Sequence, residues 1–109
     1  MRDTLASTFG DLRIEVEPTI LDDYGRDWTH FYTPAPLAVI FPKTIEDVQE
    51  IVRFSIDHQL AIVPSGGRTG LSGGAVAENG ELVVSFDAMN SIRSFNAIEQ
   101  TVICQAGVV

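Results

Sequence analysis

Residues 63–76 read Val-Pro-Ser-Gly-Gly-Arg-Thr-Gly-Leu-Ser-Gly-Gly-Ala-Val, with five glycines, two serines and a threonine in fourteen positions. The apolar run Leu60-Ala61-Ile62-Val63 leads straight into them. This pattern predicts a strand that ends in a loop almost without side chains. Glycine permits φ > 0 and lacks the Cβ that would block a close approach. Successive backbone N–H groups of such a loop can curl into a concave nest for an anion. Ser65, Thr69 and Ser72 add hydroxyl donors, and Arg68 adds the one local positive charge. A phosphate or pyrophosphate matches that set. A flexible linker is the competing explanation, but linkers do not usually begin on one buried strand and return directly to another.

The common nucleotide motifs do not account for the loop. A P-loop needs a lysine in GxxxxGK[ST], and none occurs here. A dinucleotide turn needs GxGxxG followed by a helix. Gly66, Gly67, Gly70, Gly73 and Gly74 never take that spacing, and a turn and strand follow them.

Upstream, Leu37–Phe41 is a continuous apolar run closed by Pro42, the pattern of a strand buried on both faces. Thr44 and Asp47 then form a variant of the capping box. Ile45, Val48, Ile51, Val52 and Ile56 recur at helical spacing, which predicts a helix over 45–58. With a strand over 60–64, residues 37–64 make a β-α-β unit. Downstream, Asn79-Gly80 signals a turn and residues 82–86 a third strand. Residues 87–92 suit a helical turn. Residues 93–97 and 101–105 read as a hairpin turning at Glu99-Gln100. Residues 1–35 are acidic and irregular, with a short helix expected over 5–12. They read as a leader draped over a domain at 36–109, anchored by Trp28, Phe31 and Tyr32.

The segments 36–64, 61–76, 81–92 and 101–109 together resemble the FAD-binding domain of the vanillyl-alcohol oxidase (PCMH-type) family, over residues 24–109. The nearest branch is that of the D-2-hydroxyacid dehydrogenases, which act on D-lactate, glycolate or D-2-hydroxyglutarate. The resemblance implies an α+β fold, the first lobe of a two-lobed domain, with a small mixed sheet. It implies that Ser65, Gly66, Gly67, Arg68, Thr69 and Gly70 wrap the FAD pyrophosphate. Leu71, Ser72, Gly73 and Gly74 would follow the ribitol side, Pro42 would lie against the adenine, and Gly107 would join the cofactor-binding set. Several relatives carry a histidine, bonded covalently to the flavin, where Arg68 stands. Noncovalent FAD is therefore implied. The implied activity is oxidation of a small D-2-hydroxy acid to the 2-oxo acid by the full-length enzyme. This chain would supply cofactor binding and no catalytic residue, and the second lobe and cap domain would lie beyond Val109. The alternative is a non-catalytic fragment or phosphate-binding module. A protein-interaction domain leaves the glycines unexplained.

Composition narrows the partners. The net charge is −8 and Lys43 is the only lysine, so no basic face for nucleic acid or anionic membrane is evident. An anion must then be held by local donors. The uncharged apolar runs are too short to span a bilayer. The N-terminal residues lack the apolar stretch of a secretory signal, and Cys104 is the only cysteine. A cytoplasmic location is expected. An open apolar lobe face would favour self-association. Cys104 is expected as a small core residue, His58 as a helix cap, and Asp22, Asp23 and Asp27 as a solvated acidic face. His30 has no paired ligand spacing, so no metal is expected.

Overall fold

The computed structural model describes residues 1–109. The run at 37–41 becomes β2, Ala38–Phe41, with all four residues buried. Alternation along the strand sends Ala38 and Ile40 to one face of the sheet and Val39 and Phe41 to the other. A strand buried on both faces needs cover on both.

Helix α3, Ile45–Asp57, covers the first face. Its capping box is complete. The Asp47 N–H donates to the Thr44 hydroxyl at 3.1 Å, and Asp47 accepts the N–H of Thr44 at 2.9 Å and of Lys43 at 2.8 Å. Ile51 and Phe54 reach the core, whereas Ile45, Val52 and Ile56 of the anticipated apolar face are exposed. Leu5 and Phe9 join Ile51 and Phe54 in the same core cluster. At the other end His58 caps the helix, its Nδ1–H donating to the Phe54 carbonyl at 2.9 Å.

The first 35 residues are therefore more than a draped leader. The helix expected over 5–12 forms earlier, at Arg2–Thr8 (α1), and packs Leu5 with Ile51 and Phe54 of α3. Strand β1, Arg13–Glu15, pairs antiparallel with β2, with Ile14 opposite Ile40. Helix α2, Pro18–Tyr24, covers the second face with Ile20, Leu21 and Tyr24. The anticipated anchors Trp28 and Phe31 are 67% and 82% exposed, and neither joins the cluster that α2 covers.

The sheet has the order β1-β2-β4-β3, where β3 is Ile62–Ser65 and β4 is Leu82–Ser85. Strands β2, β4 and β3 run parallel, with Val39, Val83 and Val63 in register. The α3 crossover joins β2 to β3. The second parallel connection, residues 66–81, contains no helix and carries the glycine loop. Its Ala77 packs with Val39, Val63 and Val83, so it crosses on the α2 side. The Asn79-Gly80 turn, with Gly80 at φ +79°, feeds the chain into β4.

Residues 87–92 hold only a turn at Asp87-Ala88. The hairpin then forms as β5, Ile92–Asn96, and β6, Thr101–Cys104, with Phe95 opposite Val102. Every residue of both strands is exposed, including Cys104, which is not the core residue anticipated. The pair has no layer of this chain over it. No helix is long and apolar enough to cross a membrane.

Candidate functional site: the glycine loop and its polar cleft

The glycine loop leaves β3 at Ser65, beside the C-terminal ends of β2 and β4, the edge at which parallel sheets receive ligands. From Gly66 through Ser72, no backbone N–H donates to an acceptor within the chain. Seven consecutive donors are thus open. A Cβ on Gly70 or Gly74 would meet nothing within 4 Å, and one on Gly66 or Gly67 would meet its nearest neighbour only at 3.7 or 3.8 Å. The left-handed backbone expected across these glycines is found in the loop only at Gly73, φ +80°, and at Arg68, φ +55°. The other glycines of the loop leave the backbone bare of side chains.

The loop is held by the segment before β2. Trp28 N–H donates to the Gly70 carbonyl at 3.1 Å, and Ala77 N–H to the Gly25 carbonyl at 2.9 Å. The Asp27 carboxylate accepts the Gly73 N–H at 3.0 Å. Its other oxygen accepts from the Thr29 hydroxyl at 2.6 Å and the Thr29 N–H at 3.0 Å. Asp27 is 3% exposed, so it does not belong to a solvated acidic face. The Thr29 hydroxyl, aided by the N–H donors, holds its carboxyl below the usual range, against burial, which pushes it up. The Tyr32 hydroxyl lies 3.3 Å from where a Cβ of residue 73 would stand.

Arg68 does not hang free as an anion-binding charge. Its guanidinium lies over the Tyr24 ring, 4.2 Å from the centroid. Its Nη1 donates to the Gly66 carbonyl at 3.1 Å and the Ser65 hydroxyl at 3.4 Å, and lies 3.8 Å from Asp87 Oδ1. The Tyr24 hydroxyl donates to Asp87 Oδ2. Burial, then the Asp87 bond, push the Tyr24 phenol above its ordinary range, and Arg68 opposes them.

Between loop and leader lies a polar cleft of about 450 Å³, lined by Asp23, Tyr24, Arg26, Asp27, Trp28, His30, Gly67 and Arg68. Arg26 pairs with Asp22 and contacts His30 Nδ1 at 2.6 Å. Trp28 is a wall of this cleft rather than a packed residue.

The structure thus sorts the sequence-derived set. Thr69, Gly70, Leu71, Ser72 and Gly74 are exposed on the loop, and Gly66, Gly67, Arg68 and Gly73 lie with them. Ser65 is fully buried with its hydroxyl against Arg68, so it offers a ligand no donor. The Pro42 ring is fully buried at the end of β2 and presents no surface to an adenine. Gly107 is a packing residue: a Cβ there would fall 1.8 Å from the Phe86 carbonyl oxygen, and its N–H already donates to Met89 O at 2.9 Å. Sequence reasoning missed Tyr24, Asp27 and Asp87. Their carboxylates and phenol act across long separations, and no local pattern marks them.

Fold and site together define an α+β domain with a run of open backbone donors at the C-terminal edge of its parallel strands. Residues 36–109 match the family described as FAD binding domain, and the chain belongs to that family. It is 61% identical over 89 residues to a D-2-hydroxyglutarate dehydrogenase of Stutzerimonas stutzeri, covering 82% of this chain and 19% of that protein. It is 54% identical over 97 residues to a D-2-hydroxyglutarate dehydrogenase of Xanthomonas citri, covering 89% of this chain and 21% of that protein. The chain therefore spans about a fifth of the length of these relatives. Among solved structures, p-cresol methylhydroxylase with substrate bound superposes with a TM-score of 0.80 at 22% identity, covering 98% of this chain and 22% of that one. That likeness shows the fold.

The residues present fit FAD on a structural observation of their own. A diphosphate needs several donors at close range, and Gly66–Ser72 supply them with no side chain in the way at the glycines.

Proposed function

We propose that this chain is the pyrophosphate-holding lobe of a flavin-dependent dehydrogenase that oxidises a D-2-hydroxy acid, with D-2-hydroxyglutarate the favoured substrate. The single observation that carries the cofactor half is the unbroken run of open N–H donors from Gly66 to Ser72. The substrate half rests on the relatives at 61% and 54% identity.

FAD, when bound, supplies the acceptor for the hydride of the substrate carbon. The work of this chain is grip. Gly66, Gly67, Thr69, Gly70, Leu71 and Ser72 present N–H groups to the diphosphate, and the exposed Thr69 and Ser72 hydroxyls add to them. Arg68 braces the start of the loop through Gly66 and Ser65. Arginine forms no flavin linkage of the histidyl kind, so the cofactor is held noncovalently. Grip alone does not orient a substrate carbon against the flavin, and the chain by itself is inactive. The lone cysteine favours a cytoplasmic setting, and the exposed β5–β6 hairpin favours self-association.

The test has two parts. The purified chain, mixed with FAD and passed through a desalting column, should retain flavin absorbance, and acid precipitation should release all of it. Dye reduction with D- and L-2-hydroxyglutarate should stay at the free-FAD background for the chain alone. It should become D-selective when the chain is extended to the length of its relatives. Absence of retained flavin contradicts the cofactor reading, and activity without D-2-hydroxy acid selectivity contradicts the substrate reading.

A further inference from the structure

Three bonds fix the stretch from Gly66 to Gly74 by its carbonyls: Gly66 O accepts from Arg68 Nη1, Gly70 O from the Trp28 N–H and Gly73 O from the Val76 N–H. A loop that works through its N–H groups is best held this way, since its donors stay free. The exception is Gly73, whose N–H is taken by a side chain 46 residues away.

We infer that Asp27 is a positioning residue for the cofactor loop: its buried carboxylate pins Gly73 and so keeps the Gly66–Ser72 donors presented to one anionic ligand. This rests on the reading of the loop as the FAD diphosphate site. The geometry carries it in three ways. Gly73 closes the open run, and it is a left-handed turn that a flexible glycine leaves readily unless bonded. Asp27 accepts on both oxygens, from Thr29 and Gly73, and lies between the Gly25 and Trp28 backbone bonds to the same loop. Residues 25–29 also lie outside the 36–109 span matched by the family, so the pin comes from a segment that the matched lobe does not contain.

The experiment compares the 109-residue chain with Asp27→Ala and Asp27→Asn. Amide hydrogen exchange is read at Gly73 and at Ile51 of the α3 core, and FAD and inorganic pyrophosphate affinities are read by titration. Asp27→Ala should speed exchange at Gly73 and weaken FAD about tenfold, the scale of one lost charge-assisted hydrogen bond. Ile51 protection should be unchanged. Asp27→Asn, which still offers one acceptor oxygen, should fall between parent and Asp27→Ala. If Asp27→Ala also exposes Ile51, the asparagine variant alone decides. Unchanged Gly73 exchange, or freed Gly73 with full FAD affinity, overturns the inference. A parent chain that binds neither probe, yet shows Asp27-dependent Gly73 protection, overturns the cofactor reading and leaves the pin itself standing.

Discussion

The Arg68 guanidinium lies over the Tyr24 ring, 4.2 Å from its centroid, and both residues converge on Asp87. This triangle ties the base of the glycine loop to the helix that covers the second face of the sheet. It also perturbs a titration. Burial first, and the Asp87 bond second, raise the Tyr24 phenol above its ordinary value of 10.0, while Arg68 lowers it. A folded value above the unfolded one means that this contribution to stability is present below pH 10 and is lost as pH rises through the folded value. Arg68→Ala should raise the Tyr24 pKa further, because it removes the charge that favours the phenolate. Ultraviolet titration in a Tyr32→Phe background reads Tyr24 alone. A downward shift in Arg68→Ala contradicts the triangle.

The glycines divide by what a methyl group would meet. Gly107→Ala should destabilise the chain by about 3 kcal/mol, at the upper end for overpacking, because its Cβ falls on the Phe86 carbonyl. Gly70→Ala and Gly74→Ala enter open space and should change stability by less than about 0.5 kcal/mol. Gly67→Val should lower FAD affinity at least ~10-fold with a similarly small stability change, by crowding the diphosphate. Urea unfolding and FAD titration of the four variants check the division.

The cap of α3 supports the β-α-β unit that delivers β3 to the loop. Thr44→Ala should cost about 1 kcal/mol in urea unfolding, a typical N-cap loss. Burial alone would raise the Asp47 carboxyl, but the N–H groups of Lys43 and Thr44 outweigh it and hold the carboxyl below its ordinary range. A depressed folded value gives stability that is present above the unfolded pKa and lost as pH falls through the folded one. Asp47→Asn should therefore flatten the acid limb of the stability profile. An unchanged limb contradicts this.

What was legible in the sequence was what local pattern encodes. The continuous run at 38–41 had to be a strand buried on both faces, and Thr44 with Asp47 marked the start of α3. The glycine-rich stretch from Gly66 to Gly74 marked the candidate site. What was not legible depended on distant partners. Asp27 read as one more surface acid because Gly73 is 46 residues away. The resemblance implied Pro42 and Ser65 as ligand contacts, and the burial of both side chains at strand ends could not be read from the strands themselves. The resemblance placed Gly107 in the cofactor-binding set, whereas a side chain there would strike the Phe86 backbone. Cys104 alternated like a core residue on a hairpin that nothing in this chain covers.

That hairpin yields its own prediction. Ile92, Phe95 and Val102 are exposed and share one face of the hairpin by its register, and an uncovered apolar face favours association. Sedimentation of the chain should depend on concentration, and Phe95→Glu should weaken the association at least ~10-fold. Identical monomeric sedimentation of parent and variant at all concentrations contradicts it.

The backbone donors from Gly66 to Ser72, open within the chain, are proposed to hold the FAD diphosphate. The most direct measurement is an amide-resolved NMR titration of the ¹⁵N-labelled chain with FAD, repeated with inorganic pyrophosphate. The amides of residues 66–72 should shift with saturation in both titrations, while those of α3 and of the β5–β6 hairpin stay in place. Saturating shifts that spare residues 66–72 and gather elsewhere, or no shifts at all, would contradict the account.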